Sequence, residues 1–72
     1  MISMNVFTDT LKKNRDFIFD NTSTLPGIVL AVQKVLVDSN LNETEEGKLL
    51  VNTLLQAQSY NDAIGIILNF MN

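Results

Sequence analysis

The sequence predicts an all-α fold, a small four-helix bundle, and three observations support this prediction. Apolar residues recur with the three- and four-residue spacing of an amphipathic helix in four consecutive segments. Residues that favour helix caps stand before three of these segments. The connections between segments are short, which makes consecutive helices antiparallel neighbours. We therefore expect helices at about residues 5–20, 26–37, 43–58 and 60–71, forming one helical domain over residues 1–72.

The first predicted helix places its apolar side chains on one side and most of its charged side chains opposite. It is expected to end at the cluster Asn21-Thr22-Ser23-Thr24, because such side chains compete for backbone hydrogen bonds and favour turns and caps. Its expected core face consists of Met4, Phe7, Leu11 and Ile18, flanked by Val6 and Phe17.

The second predicted helix begins with strong local signals. Thr24 or Leu25 is the expected N-cap, and Pro26 fits the first turn, where its missing N–H is not needed. β-Branched residues are frequent over residues 27–37, so a strand remains an alternative there. We favour a helix because the apolar spacing is not two and the polar pair Gln33-Lys34 interrupts the run. The expected core face contains Ile28, Val29, Val32, Val35 and Leu36, with Leu30 and Val37 on the other side.

The third predicted helix follows a polar break at residues 38–42. Asn42 and Glu45 have the spacing of a capping box, and the acidic first turn suits the positive end of a helix dipole. The buried face is expected to contain Gly47, Leu50, Val51, Leu54 and Ala57, with Leu49 as an apolar outlier.

The fourth predicted helix starts after a second cap pair, Ser59 and Asp62. Its apolar stripe covers roughly half of the helix circumference, which is more than one neighbouring helix needs. The central line of this stripe contains Tyr60, Ala63, Ile64, Ile67, Leu68 and Met71, and Ile66 and Phe70 widen it at the edge.

The composition argues against several classes of function. The 72 residues contain no Cys and no His, which removes thiolate metal sites and the commonest general base. The net charge is −3, and aspartates surround the basic cluster Lys12, Lys13 and Arg15, so direct nucleic-acid binding is not expected. We also expect no enzyme activity, no cofactor and no metal. No signal peptide and no run of about 20 apolar residues is visible, so a cytoplasmic location without a membrane span is expected.

Apolar residues outside the expected core indicate an interaction surface. Leu30, Val37, Ile66 and Phe70 lie off or at the edge of the core stripes. Small domains without disulfides or metals commonly gain stability by oligomerising. We therefore predict a small acidic, non-catalytic protein–protein interaction module: a regulator, inhibitor or assembly adaptor that binds a partner protein, itself as a homodimer, or both. The nine Asn residues are typical of AT-rich genomes, which is compatible with a phage-encoded modulator.

An acidic patch supports an alternative interpretation. Asp38, Glu43, Glu45 and Glu46 lie close together in the sequence and form the candidate patch for a basic partner surface. Through such a patch the chain would be a transcription-linked factor that acts by binding a DNA-binding protein. The simpler interpretation is a solvated helix start whose carboxylates face the positive end of the dipole.

The dipeptide Asp38-Ser39, followed by an acidic helix, resembles the acyl carrier protein family. In that family phosphopantetheine is attached to the Ser of an Asp-Ser-Leu motif that opens an acidic helix. The resemblance implies a carrier domain modified on Ser39, with the following glutamates on the partner-recognition helix. Asn40 stands where the family has Leu.

Overall fold

Five helices form the part of the chain that the structure describes. The computed structural model describes residues 2–20 and 23–71, with side chains from Val6 onward. The helices are α1 (Ile2–Lys13), α2 (Arg15–Asp20), α3 (Leu25–Asp38), α4 (Glu45–Leu55) and α5 (Tyr60–Met71). No strand occurs over these residues, so the predicted all-α class is confirmed and the strand alternative for residues 27–37 is wrong. Asn21 and Thr22 of the first predicted turn lie outside the described residues.

α1 and α2 replace the single helix predicted over residues 5–20. The helix is interrupted at Asn14, whose side-chain amide donates to the carbonyl of Thr10 at 2.8 Å. The backbone N–H of Asn14 is shared between the carbonyls of Thr10 and Leu11, at 3.2 Å each. A side chain that bonds locally in this way competes with the regular helix ladder. The break lets α1 pack against α5 while α2 packs against α3.

α3 begins where the sequence predicts. The hydroxyl oxygen of Thr24 accepts a hydrogen bond from the backbone N–H of Gly27 at 3.2 Å, and Pro26 stands in the first turn. This is the N-cap geometry that satisfies one of the free donors at a helix start. The predicted cap is therefore confirmed, with Thr24 rather than Leu25 as the capping residue.

α3 ends in a turn with a left-handed residue. Asn40 has φ of 60°, a conformation that Asn tolerates better than most residues. The N–H of Leu41 donates to the carbonyl of Leu36 at 2.8 Å, and the N–H of Asn40 donates to that of Val37 at 3.1 Å. These two bonds form a Schellman motif, which satisfies carbonyls left free at the helix end.

The predicted capping box of Asn42 and Glu45 is wrong, because the chain is still in this turn at Asn42. Thr44 is the N-cap of α4: its hydroxyl oxygen accepts from the N–H of Gly47 at 3.0 Å. The same hydroxyl donates to the carbonyl of Leu41 at 2.6 Å, which ties α4 to the turn. α4 therefore begins at Glu45, two residues later than predicted.

α4 and α5 are joined by a short turn. α4 ends at Leu55, three residues before the predicted end, and α5 begins at Tyr60 as predicted. The hydroxyl oxygen of Ser59 accepts from the N–H of Asp62 at 3.1 Å, so the predicted cap pair is confirmed. The carboxylate of Asp62 accepts in turn from the N–H of Gln58 at 3.4 Å.

The core lies where the inner faces of the helices meet, and it is apolar. No polar or charged side chain is buried in residues 6–20 and 23–71. The side chain of Met4, which the sequence places in the core, lies outside the described part of the chain. The core consists of Phe7, Leu11, Ile18, Ile28, Val29, Val32, Val35, Leu36, Leu50, Leu54, Ala63, Ile67 and Met71.

Gly47 lets the first turn of α4 lie against the preceding turn. A Cβ atom at this position would overlap the carbonyl oxygen of Leu41 and crowd the hydroxyl of Thr44. Gly65 in α5 differs, because a Cβ atom there would have no neighbour within 4 Å. A close backbone approach therefore requires glycine at position 47 but not at position 65.

We expect Gly47→Ala and Gly65→Ala to change stability in opposite directions. Gly47→Ala forces α4 away from the turn and should lower the free energy of unfolding by about 1–3 kcal/mol. Gly65→Ala should raise it by about 0.5–1 kcal/mol, because alanine loses less backbone entropy in a helix. Denaturant unfolding followed by circular dichroism measures both changes. A stabilising effect of Gly47→Ala would contradict the close approach.

Candidate functional site

The candidate site is a groove between α3 and α4. Two neighbouring cavities of about 470 and 430 Å³ lie along this helix pair, and Gln33 lines both of them. We call the combined surface the α3–α4 groove. It is lined by Leu25, Pro26, Val29, Leu30, Gln33, Leu36, Val37, Asn42, Lys48, Val51, Asn52, Leu54, Leu55 and Ala57.

The rim of the groove carries exposed apolar side chains. Leu30 and Leu55 are each 65% exposed, and Val37 is 55% exposed, whereas Leu36 and Leu54 are buried. Lys48 is the one charged residue in the lining, and none of the carboxylates in the described chain lines it. The central part of a protein–protein interface is typically depleted of charge in the same way.

The four predicted interface residues fall in two separate places. Leu30 and Val37 line the α3–α4 groove. Ile66 and Phe70 lie on α5, where both are half-buried and pack against the core. The ring of Phe70 meets that of Phe7 edge to face, with centroids 6.2 Å apart and an interplanar angle of 64°. Internal packing thus accounts for part of the apolar edge of α5.

The buried face of α5 is rotated relative to the predicted stripe. Leu68, which the sequence places in the core, is 40% exposed and lines a cavity of about 260 Å³ with Lys12 and Arg15. Phe70, which the sequence places at the edge, packs inward instead. The reason is that α1 packs against α5 and brings Phe7 to the Phe70 side. The core position of Leu68 is therefore a wrong prediction.

Leu55 lies on the rim of the groove but is not among the interface residues that the sequence predicts. Leu55 stands at the end of α4 and lies outside the core face of that helix. Its four-residue spacing from Val51, which lines the same groove, is the signal that could have found it.

The candidate acidic patch is divided between two helix ends. The carboxylate of Asp38, at the end of α3, pairs with the ammonium of Lys34 at 3.4 Å, and both side chains are exposed. Such a surface pair contributes little to stability. Glu45 and Glu46 lie in the first turn of α4, where carboxylates complement the helix dipole, and Glu43 lies in the turn before it. Binding of a basic partner there remains a prediction.

Ser39 lies at the C-cap of α3, and α4 begins six residues later at Glu45. The backbone N–H of Ser39 is directed to the carbonyls of Val35 and Val37. Ser39 thus closes one helix instead of opening an acidic one. Its modification by phosphopantetheine remains a prediction from the family resemblance.

Within residues 2–20 and 23–71, no group of three His, Cys, Asp or Glu residues is placed to hold a metal ion. None of the helices described combines the length and apolar character needed to cross a membrane. No protein-family model matches the chain, and no curated protein or solved structure shows significant similarity to it.

We expect Phe70→Ala to lower the free energy of unfolding much more than Leu30→Ala, because Phe70 packs against the core and Leu30 lies on the surface. Phe70→Ala removes the ring contact with Phe7 and should lower the free energy of unfolding by about 2–4 kcal/mol. Leu30→Ala should change it by no more than about 0.5 kcal/mol, because Leu30 is exposed. Denaturant unfolding is measured at protein concentrations where the midpoint no longer depends on concentration. Equal losses in the two variants would place Leu30 in the core.

Proposed function

We propose that the chain is a small, acidic, non-catalytic protein–protein interaction module that binds its partner through the α3–α4 groove. Its action would be that of a regulator, an inhibitor or an assembly adaptor. The observation that supports this proposal is the clustering of Leu30, Val37 and Leu55, each more than half exposed, along one groove without carboxylates. Single exposed apolar residues are ordinary, whereas a contiguous apolar surface is typical of binding sites.

The rim supplies part of the free energy that association needs. Full burial of one such side chain is worth about 1.5–3 kcal/mol, so burying the exposed parts of the three rim residues is worth about 3–6 kcal/mol. Association costs about 4 kcal/mol or more in lost translation and rotation. The partner must therefore contribute apolar surface of its own. A polar or charged partner surface would offer the apolar side chains of the rim no favourable contact.

We expect partner binding to be lost in the double variant Leu30→Glu with Val37→Glu. Each substitution buries an unpaired carboxylate in an apolar contact, so the amount of bound partner should fall at least about tenfold. The measurement is affinity capture from an extract of the source organism on the immobilised chain, with quantitative mass spectrometry.

The matched control is Leu49→Glu. Leu49 is 58% exposed on α4 but is not part of the groove lining. This variant adds the same kind of charge and should retain the proteins that the unchanged chain captures. All three proteins should have the same helical circular dichroism spectrum. Equal capture by the double variant and the control would contradict binding through the groove.

A further inference from the structure

We propose that the α3–α4 groove binds a basic amphipathic helix of a partner protein. The apolar side of that helix lies in the groove, and its cationic side chains lie over carboxylates at one end of the groove. The inference rests on the proposed interaction function and specifies the chemistry of the partner. Three observations support it: the form of the groove, the difference between its two ends and the distribution of charge around it.

The form of the groove fits a single helix. α3 has 14 residues and α4 has 11, which correspond to lengths of about 21 and 16 Å. Pro26, Leu30, Gln33 and Val37 follow one another along α3 at intervals of four, three and four residues, and all four line the groove. A helix presents residues at this spacing to another helix that lies along it. The groove is therefore suited to a helical segment of about three to four turns, a common mode of peptide recognition.

The two ends of the groove differ in polarity. At the end formed by the start of α3 and the end of α4, every lining residue except Gln33 is apolar. At the other end, which we call the polar end, Asn42, Lys48 and Asn52 are part of the lining. A bound helix therefore places its large apolar side chains at the first end and polar side chains at the polar end.

Carboxylates flank the polar end. Glu43 directly follows Asn42 of the lining, and Glu45 stands three residues before Lys48, on the same side of α4. Glu46 is the third carboxylate of this stretch. The opposing positive charge is the ammonium of Lys48 and about half a unit from the start of the α4 dipole. The net charge at the polar end is therefore negative, and it attracts cationic side chains.

The other cations of the chain do not offset this charge. Lys34 is paired with Asp38 at 3.4 Å. The remaining three belong to the α1–α2 junction, where Lys12 and Arg15 line a separate cavity against α5. From α3 to α5 the chain contains five carboxylates and two lysines. A basic segment is therefore attracted as it approaches the groove, and an acidic segment is repelled.

Binding of synthetic peptides tests the chemistry of the partner. The probe is a labelled peptide of about 14 leucine and lysine residues, with leucines at intervals of three and four. One control peptide has glutamate in place of each lysine, and a second has the basic composition in an order without an apolar side. Fluorescence anisotropy at low salt should show micromolar binding of the basic amphipathic peptide and at least about tenfold weaker binding of both controls.

Charge variants of the chain test where the cationic side chains lie. Glu45→Gln should weaken binding of the basic amphipathic peptide about two- to threefold, and Lys48→Glu should strengthen it by a similar factor or more. The matched controls are Asp9→Asn and Lys13→Glu, which make the same changes of charge at exposed positions of α1. These two controls should change binding less than twofold. Each variant should keep the helical circular dichroism spectrum.

Neutral variants test the apolar contact without changing the charge. Leu30→Gln should weaken binding of the basic amphipathic peptide about tenfold. Leu49→Gln, outside the groove lining, should leave it unchanged.

Four results would overturn the inference: no binding of the basic amphipathic peptide, preference for the acidic peptide, equal effects of Lys48→Glu and Lys13→Glu, or equal effects of Leu30→Gln and Leu49→Gln. Dimerisation of the chain alone through the groove, measured by sedimentation equilibrium, would also overturn it. If the chain binds no basic peptide but still captures a protein in a groove-dependent way, the proposed function stands and the basic partner helix is wrong.

Discussion

The structure depends on the burial of one side of α3. This helix packs against α2, α4 and α5, and six of its fourteen residues are buried. A chain of 72 residues buries only about 60% of its unfolded surface, and this one has no disulfide to add stability. The central helix must therefore be apolar over most of its length. The same apolar character leaves Leu30 and Val37 on the outside, where they define the groove.

The parts of the fold that sequence reasoning predicts are those with local causes. Thr24 and Pro26 determine the start of α3, and the spacing of its apolar residues determines its buried side. The break at Asn14 has a local hydrogen bond but also a tertiary cause, since it lets α1 and α2 contact different helices. Thr44 caps α4 in place of Asn42 because of the turn at Asn40. The spacing of cap-forming residues in the sequence does not reveal that turn.

The sequence predicts only those residues of the candidate site whose positions have local causes. Leu30 and Val37 are identified because they lie opposite the core face of a helix whose orientation the sequence specifies well. Leu55 is missed because the rotation of α4 about its axis depends on its neighbours in space. Phe70 owes its half-buried position to Phe7, a residue 63 positions earlier in the chain, and such a pairing has no signature in the spacing of α5.

The contact between Phe7 and Phe70 also bears on the order of folding. It joins residues that are 63 positions apart, so closing it costs more loop entropy than forming a contact between consecutive helices. α3 and α4 are consecutive and connected by a turn with its own hydrogen bonds, so this hairpin is the more local structure. Local contacts form faster than distant ones. On this argument we expect the α3–α4 hairpin to form before the contact between Phe7 and Phe70.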